Sequence, residues 1–315
     1  VNTTAIGATG LRKKFGDHVV LDGVDLDVPE GTVFALLGPN GAGKTTAVRI
    51  LSTLITADGG TATVAGHDVA TDPDGVRAAI GVTGQFSAVD KLLTGEENLR
   101  LMGELYRLPK AEVARRTTAL LTRFDLVDAG STLAATFSGG MTRRLDLAMT
   151  LIGEPRVIFL DEPTTGLDPR SRRGMWEIVE ELVAGGVTVF LTTQYLEEAD
   201  RLADRIAVLH HGRIVADGTA AELKRRVPGG HVLLRFAQVS DLESAVRALG
   251  TATPDRDALT LTVPGDGSRH ALKALIDRLD DASVGFDALT VHTPDLDDVF
   301  FALTGHTTEQ KAPLS

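Results

Sequence analysis

The stretch Val33-Phe34-Ala35-Leu36-Leu37-Gly38-Pro39-Asn40-Gly41-Ala42-Gly43-Lys44-Thr45-Thr46 decides how this chain reads. Five apolar residues suit a buried strand, and the pattern from Thr45 to Leu54 suits a helix, so the order is strand, glycine-rich loop, helix. Gly38 to Thr45 fits G-x-x-x-x-G-K-[ST] in the context that motif requires. Glycines let backbone N–H groups converge on phosphate oxygens, and the following helix aims its positive end at them. Lys44 supplies a point charge and Thr45 a hydroxyl for Mg²⁺. A plain glycine turn has the same composition, but it lacks a reason for the flanking strand and helix. Phosphate groups with Mg²⁺ are the expected ligand, held by Gly38, Asn40, Gly41, Gly43, Lys44, Thr45 and Thr46.

Working outward, Val157 to Leu160 and Val187 to Thr192 read as further buried strands, each followed by a helical pattern, which predicts an α/β core around a parallel sheet. The first of these strands runs into Asp161-Glu162, at the strand end where parallel sheets gather ligands. Adjacent side chains on a strand point apart. Asp161 is therefore expected to serve Mg²⁺, and Glu162 to act as general base on the attacking water. Pro163-Thr164-Thr165-Gly166 is turn chemistry, so a carboxylate pair capping that turn is the plainer alternative.

The first thirty residues read as short strands with turns at Gly16-Asp17 and Asp22-Gly23, which predicts an antiparallel sheet beside the core. Thr94 to Ala129 turns helical, opening on a Thr94-x-x-Glu97 capping box and placing Leu99, Met102, Leu105 and Tyr106 on one face. Pro228-Gly229-Gly230 marks a boundary. Beyond it, strand-like His231–Phe236, Leu259–Val263 and Phe286–Val291 alternate with helix-like Asp241–Leu249 and Ala271–Leu279, as in a small α+β module. The expected division is 1–227 with a helical subdomain at about 90–140, then 228–305, then a frayed tail at 306–315.

Hydrophobic residues at 43% and charged residues at 24% of 315 exclude collagen-like and wholesale disordered chains and predict a soluble protein. No run of about 18 apolar residues suggests a membrane span, and Val1 to Gly10 does not read as a signal peptide. With no cysteine there are no disulfides and no thiolate sites, which fits a reducing compartment. A net charge of −11 opposes extended contact with nucleic acid or an anionic bilayer. Compact phosphates remain possible ligands, because backbone amides hold them whatever the global charge.

Phe137-Ser138-Gly139-Gly140-Met141 starts another helical stretch, and taken alone Ser138 is a good N-cap. Its place in the series changes its meaning. The phosphate loop, Gln85, Ser138-Gly139-Gly140, Asp161-Glu162 and Gly166-Leu167-Asp168 follow an order that resembles the nucleotide-binding subunits of ABC transporters, from about Leu11 to Gly218. Leu191-Thr192-Thr193-Gln194-Tyr195-Leu196-Glu197-Glu198-Ala199-Asp200 and the segment from Asp295 to Gly305 are similar to the daunorubicin/doxorubicin-resistance ATPases of actinobacteria.

The resemblance implies a P-loop ABC nucleotide-binding domain with an antiparallel β subdomain, a helical subdomain and a small C-terminal α+β domain that docks or stabilises a dimer. Two subunits would sandwich two ATP molecules head to tail, with Ser138, Gly139 and Gly140 of one copy on the γ-phosphate held by Lys44 of the other. Phe15 would stack on adenine, although a core phenylalanine is its plainer role. Gln85 would touch Mg²⁺ or the water and relay closure, and Asp168 would sit at the dimer seam. Gln194 stands where most relatives of this kind have histidine; it can hydrogen-bond a γ-phosphate but carries no proton. Met141 replaces the glutamine usual at the end of the signature. His210 and His211 read as hairpin surface residues, and Trp176 as core.

The function so implied is an exporter ATPase that drives efflux of hydrophobic drugs or lipids through a separate transmembrane permease, at the cytoplasmic face of the cell membrane. Two alternatives stand beside it. One is an ATP-gated clamp on a membrane partner that moves no cargo. The other is a soluble non-transport ABC protein, which usually has two nucleotide-binding domains or a coiled-coil arm; neither feature is legible here.

Overall fold

The computed structural model describes residues 3–84, 87–226, 230–265, 267–292 and 294–304. β1 (Thr4–Phe15) and β2 (His18–Pro29) form a long antiparallel hairpin that turns at Gly16-Asp17. Asp22-Gly23, expected to be a second turn, lies inside β2. The register slips there from Leu11↔Val24 to Arg12↔Asp22, and Gly23 takes a φ of 75° as the extra residue of a bulge. The local chemistry of a turn and of a bulge is the same; the pairing partner decides between them.

β3 (Val33–Leu37) is buried at every position, as a strand covered on both faces must be. α1 (Lys44–Leu51) follows it and buries Ala47, Val48, Ile50 and Leu51. β4 (Gly59–Val64) returns to pair with β1, and β5 (His67–Asp68) completes a sheet of order β2-β1-β4-β5. α2 (Pro73–Ala79), capped by Asp72, leads to β6 (Ile80–Thr83).

α3 (Gly95–Leu105) opens on the expected capping box: Thr94 Oγ1 accepts from Glu97 N at 3.2 Å, and Glu97 Oε2 accepts from Thr94 N at 2.8 Å. α4 (Lys110–Arg123) and α5 (Gly139–Leu151) complete the helical part. The face expected for α3 is only half right, since Leu99 is buried but Leu105 is 67% exposed. The helix packs through Gly95, Asn98, Leu99 and Gly103 instead. A Cβ at Gly103 would stand 2.7 Å from the Val113 side chain of α4, so the notch a glycine leaves sets the seam, which a hydrophobic pattern does not register.

β7 (Val157–Asp161), α6 (Pro169–Ala184), β8 (Thr188–Thr193), α7 (Leu196–Leu202), β9 (Arg205–His210) and β10 (Arg213–Gly218) close the first unit. Its larger sheet has the order β10-β9-β3-β8-β7-β6, parallel except for the β10 edge. Phe34, Phe190 and Phe159 stand in register on β3, β8 and β7, with ring centroids 5.5 and 5.6 Å apart. They share one core with Ile6, Leu21 and Val24 of the hairpin, so both sheets clamp α1.

The chain divides into two compact units between Ala220 and Ala221. The joint expected at Pro228-Gly229 lies outside the described residues. The second unit follows α8 (Ala220–Lys224) with β11 (His231–Arg235), α9 (Val239–Leu249), β12 (Thr253–Asp255), β13 (Thr260–Pro264), α10 (Arg269–Asp281), β14 (Ala288–His292) and α11 (Leu296–Thr304). The sheet order is β12-β13-β11-β14, all antiparallel. Val232, Leu234 and Leu261 from the strands pack on Leu242, Leu249 and Leu279 from the helices. The short edge strand β12 and the helix α11 add to the elements read from the sequence. Among the described residues no helix is long and apolar enough to cross a membrane.

Candidate nucleotide site

The loop after β3 is built where only glycine fits. A Cβ at Gly38 would lie 2.4 Å from the Leu209 carbonyl oxygen, and one at Gly43, whose φ is 110°, would lie 2.8 Å from that of Val20. Gly38 N donates to Thr193 O at 3.2 Å, which ties the loop to the end of β8. Asn40 and Gly41 are exposed, Gly38, Gly43 and Lys44 are buried, and Thr45 and Thr46 are half-buried. α1 begins at Lys44 with no side-chain cap and no acidic residue in its first turn. Its free amides therefore suit an anion.

Lys44 is 4% exposed, and its ammonium is fully engaged. Nζ donates to Gly38 O at 2.8 Å and to Pro39 O at 3.2 Å, and it stands 3.2 Å from Glu162 Oε1. Asp161, also 4% exposed, accepts from Thr192 Oγ1 at 2.5 Å and from Thr45 Oγ1 at 3.3 Å, both through Oδ1. The two carboxylates separate differently from the sequence expectation. β7 ends at Asp161, and Glu162 has left the strand with a left-handed φ of 51°. That conformation costs a non-glycine residue about 1–3 kcal/mol and is characteristic of functional positions. It lets Glu162 face Lys44, in the same loop whose Thr45 meets Asp161. Glu162 N donates to both the carbonyl and the hydroxyl oxygen of Thr192, each at 3.1 Å.

Thr192 and Thr193 were given no role of their own in the sequence, where they read as the end of a buried strand and part of the Leu191–Asp200 stretch. They stitch the loop after β3 to the end of β7, because β8 lies between those strands. Gln194 follows directly and is half-buried. Gln85 lies outside the described residues.

The remaining candidates stand on other elements. Ser138 is exposed and caps α5, accepting from Met141 N at 3.2 Å. Gly139 is exposed with nothing within 4 Å of where a Cβ would stand, whereas a Cβ at Gly140 would lie 2.6 Å from Ser171 Oγ. Asp168 caps α6, accepting from Arg170 N and Ser171 N at 3.0 Å each and from Ser171 Oγ at 2.6 Å. The Ser171 hydroxyl leads in holding its carboxyl below the usual carboxylate range. Gly140 and Asp168 line one cleft of about 500 Å³, and Gly139 and Glu162 another of about 480 Å³. Phe15, at the end of β1, is 53% exposed with Lys13 Nζ 5.4 Å from its ring centre, so it is not a core residue.

The family model described as ABC transporter matches residues 21–165. Over 310 residues the chain is 51% identical to the daunorubicin resistance ATP-binding protein DrrA2 of Streptomyces coeruleorubidus, covering 97% of this chain and 96% of that one. It is 46% identical to the daunorubicin/doxorubicin resistance ATP-binding protein DrrA of Streptomyces peucetius, covering 98% and 95%. A solved dimeric ATP-binding cassette in a post-hydrolysis state with ADP and Pi superposes with a TM-score of 0.62 at 25% identity, covering 68% of this chain and 98% of that one.

The chain belongs to the ATP-binding proteins of ABC transporters.

It is an ABC-type ATPase, a class that binds ATP. The oxygen-only set of Thr45 Oγ1 and Asp161 Oδ1, 3.3 Å apart, suits a hard divalent cation such as Mg²⁺. Among the described residues no three His, Asp or Glu side chains gather into a metal cage. A cation here would rely on ligands from the nucleotide and water, as Mg²⁺ commonly does.

Proposed function

We propose that this ATPase is the nucleotide-binding subunit of an exporter, working as a head-to-tail pair at the cytoplasmic face of the membrane under a separate permease. The observation that carries this reading is the contrast between the satisfied Lys44–Glu162–Asp161 cluster and the open Ser138-Gly139 turn. The first can grip a triphosphate. The second is a helix start that presents donors to something outside its own protomer.

The chemistry follows from the contacts. Thr45 and Asp161 would hold Mg²⁺, which supplies charge neutralisation for the β- and γ-phosphate oxygens. Loop amides and α1 bind the phosphates, and Phe15 offers an exposed ring for the base. An arriving phosphate competes with Glu162 for the Lys44 ammonium, and Glu162 is thereby released to take a proton from water. Gln194, at the end of the strand between the two loops, would hydrogen-bond the γ-phosphate without carrying charge. Asp168 and the Ser138 turn of the partner would complete the site, and Gln85 would relay its closure.

Leu92, Leu101, Leu105 and Tyr106 are exposed on α3 and beside its two ends, apolar groups suited to the permease. The names of the relatives point to anthracycline drugs as cargo, and the wider family reading admits lipids. The test is reconstitution with the permease in vesicles, with ATP-dependent accumulation of daunorubicin inside inverted vesicles as the expected result. ATP hydrolysis without accumulation of any drug or lipid would favour an ATP-gated clamp. Gln194 is the observation that keeps this second reading in view.

A further inference from the structure

Arg143 lies on α5, within the first two turns after the Ser138-Gly139-Gly140 start, and its side chain is 11% exposed. Its guanidinium reaches two other segments. Nε donates to Pro163 O at 3.0 Å and Nη2 to Asp161 O at 3.4 Å, so the two carbonyls on either side of Glu162 are held by one side chain. Nη1 donates to Gly84 O at 2.9 Å and to Asp146 Oδ2 at 3.2 Å. Asp146, also on α5 and buried, accepts from Ala88 N at 2.9 Å through its other oxygen. Desolvation of such a charge is unfavourable unless partners are fixed for it, and here three carbonyls and Asp146 take four of the five guanidinium donors.

We propose that Arg143 is a positioning residue that couples the two nucleotide sites of the paired cassettes by fastening the signature helix of each protomer to the backbone that carries its own Glu162. The inference rests on the head-to-tail reading above. In that arrangement α5 completes the partner's site, while Glu162 serves its own. A displacement of α5 as its N-terminus meets the partner's nucleotide is passed through Arg143 to the carbonyls of Asp161 and Pro163. Between them Glu162 holds its left-handed conformation, which tolerates few alternatives. Coupling of this kind is reciprocal, so occupancy of each site sets the geometry of the other. A planar fork spreads its fixed donors toward carbonyls on separate segments, whereas a lysine ammonium gathers its three at one point.

The test is the ATP dependence of hydrolysis by the full chain, together with ATP binding and a thermal melt. The expected Hill coefficient is about 2 for the natural sequence, the ceiling for two sites, and about 1 for Arg143→Lys, with ATP affinity changed by less than about threefold. Arg143→Met combined with Asp146→Asn leaves no charge buried alone and repeats the measurement should the lysine variant unfold. A coefficient of about 2 in these variants as in the natural sequence overturns the inference and leaves the paired reading standing. A coefficient of about 1 for the natural sequence also overturns it. The paired reading falls as well only if the Glu162→Gln chain stays monomeric in ATP.

Discussion

Around Lys44 the chain has closed its polar groups on one another, and around Ser138 it has left them facing outward. Lys44 and Asp161 are each 4% exposed, and each has its partners within the protomer. Ser138 and Gly139 are exposed, at the start of a helix with no acidic residue in its first turn. The contrast follows from desolvation. A charge taken out of water needs partners fixed in advance, whereas a helix terminus in water is satisfied by solvent and gives it up when a better anion arrives. The first arrangement is a site that one chain can build alone; the second has its use between molecules.

The comparison is broken most directly at Glu162. Glu162→Gln should retain ATP binding and lose turnover by roughly 10²- to 10⁴-fold, the range for a lost general base. Nucleotide binding and phosphate release measured on the same preparation check this, and near-normal release would place the base elsewhere. The glutamine should also accumulate an ATP-bound pair detectable by light scattering. Deleting residues from His231 onward is expected to weaken that pair, since the second unit is assigned a docking role; an unchanged association constant would reject the assignment.

Next in size is Thr192→Val, which probes the closed half alone. Its hydroxyl donates to buried Asp161 and accepts from Glu162 N, and the Glu162 amide keeps the Thr192 carbonyl when the hydroxyl is gone. The loss falls on Asp161, and denaturant unfolding should register about 1–3 kcal/mol. Ser138→Ala probes the open half. It removes the cap of α5 and should cost about 0.5–2 kcal/mol, while ATP-dependent pairing falls by more than that loss of stability explains. Equal effects of Ser138→Ala and Thr192→Val on pairing would erase the distinction between the two halves.

What was legible in the sequence divides along the same line. The loop from Gly38 to Thr45 and the Asp161-Glu162 pair are contiguous, and each sits beside an apolar run whose strand character is plain. Their partners are legible only through the fold. Thr192 matters because β8 lies between β3 and β7, and strand order is not written in any local pattern. Arg143 resembles any helix arginine until its carbonyl partners, one of them 59 residues away, are brought to it. The bulge at Gly23 and the glycine seam of α3 escaped for a related reason: glycine marks a close approach without naming what approaches. The roles of Glu162 and Asp161 were assigned through strand alternation, whereas Glu162 has left the strand in a left-handed conformation and both carboxylates meet the loop after β3.

Trp176 and Glu198 provide the smallest effect and the sharpest sign. The indole, the one tryptophan in the chain, is buried on α6 and donates from Nε1 to Glu198 Oε1 at 3.1 Å. Burial pushes the Glu198 carboxyl above the usual carboxylate range, and hydrogen bonds including that from Trp176 draw it only part of the way back. A carboxyl whose folded pKa is raised binds its proton more tightly in the folded chain. Its contribution is therefore complete below the ordinary carboxylate pKa and is lost as pH rises through the raised one. Glu198→Gln keeps an oxygen for the indole and is neutral at every pH, so it should match the natural chain in acid and melt a few degrees higher at neutral pH and above. The gap in Tm should open as pH climbs past the ordinary carboxylate range and then level off. Thermal melts followed by tryptophan emission at several pH values check this, and a gap that widens toward acid instead would mean that the carboxylate is held charged by Arg172 and its other neighbours.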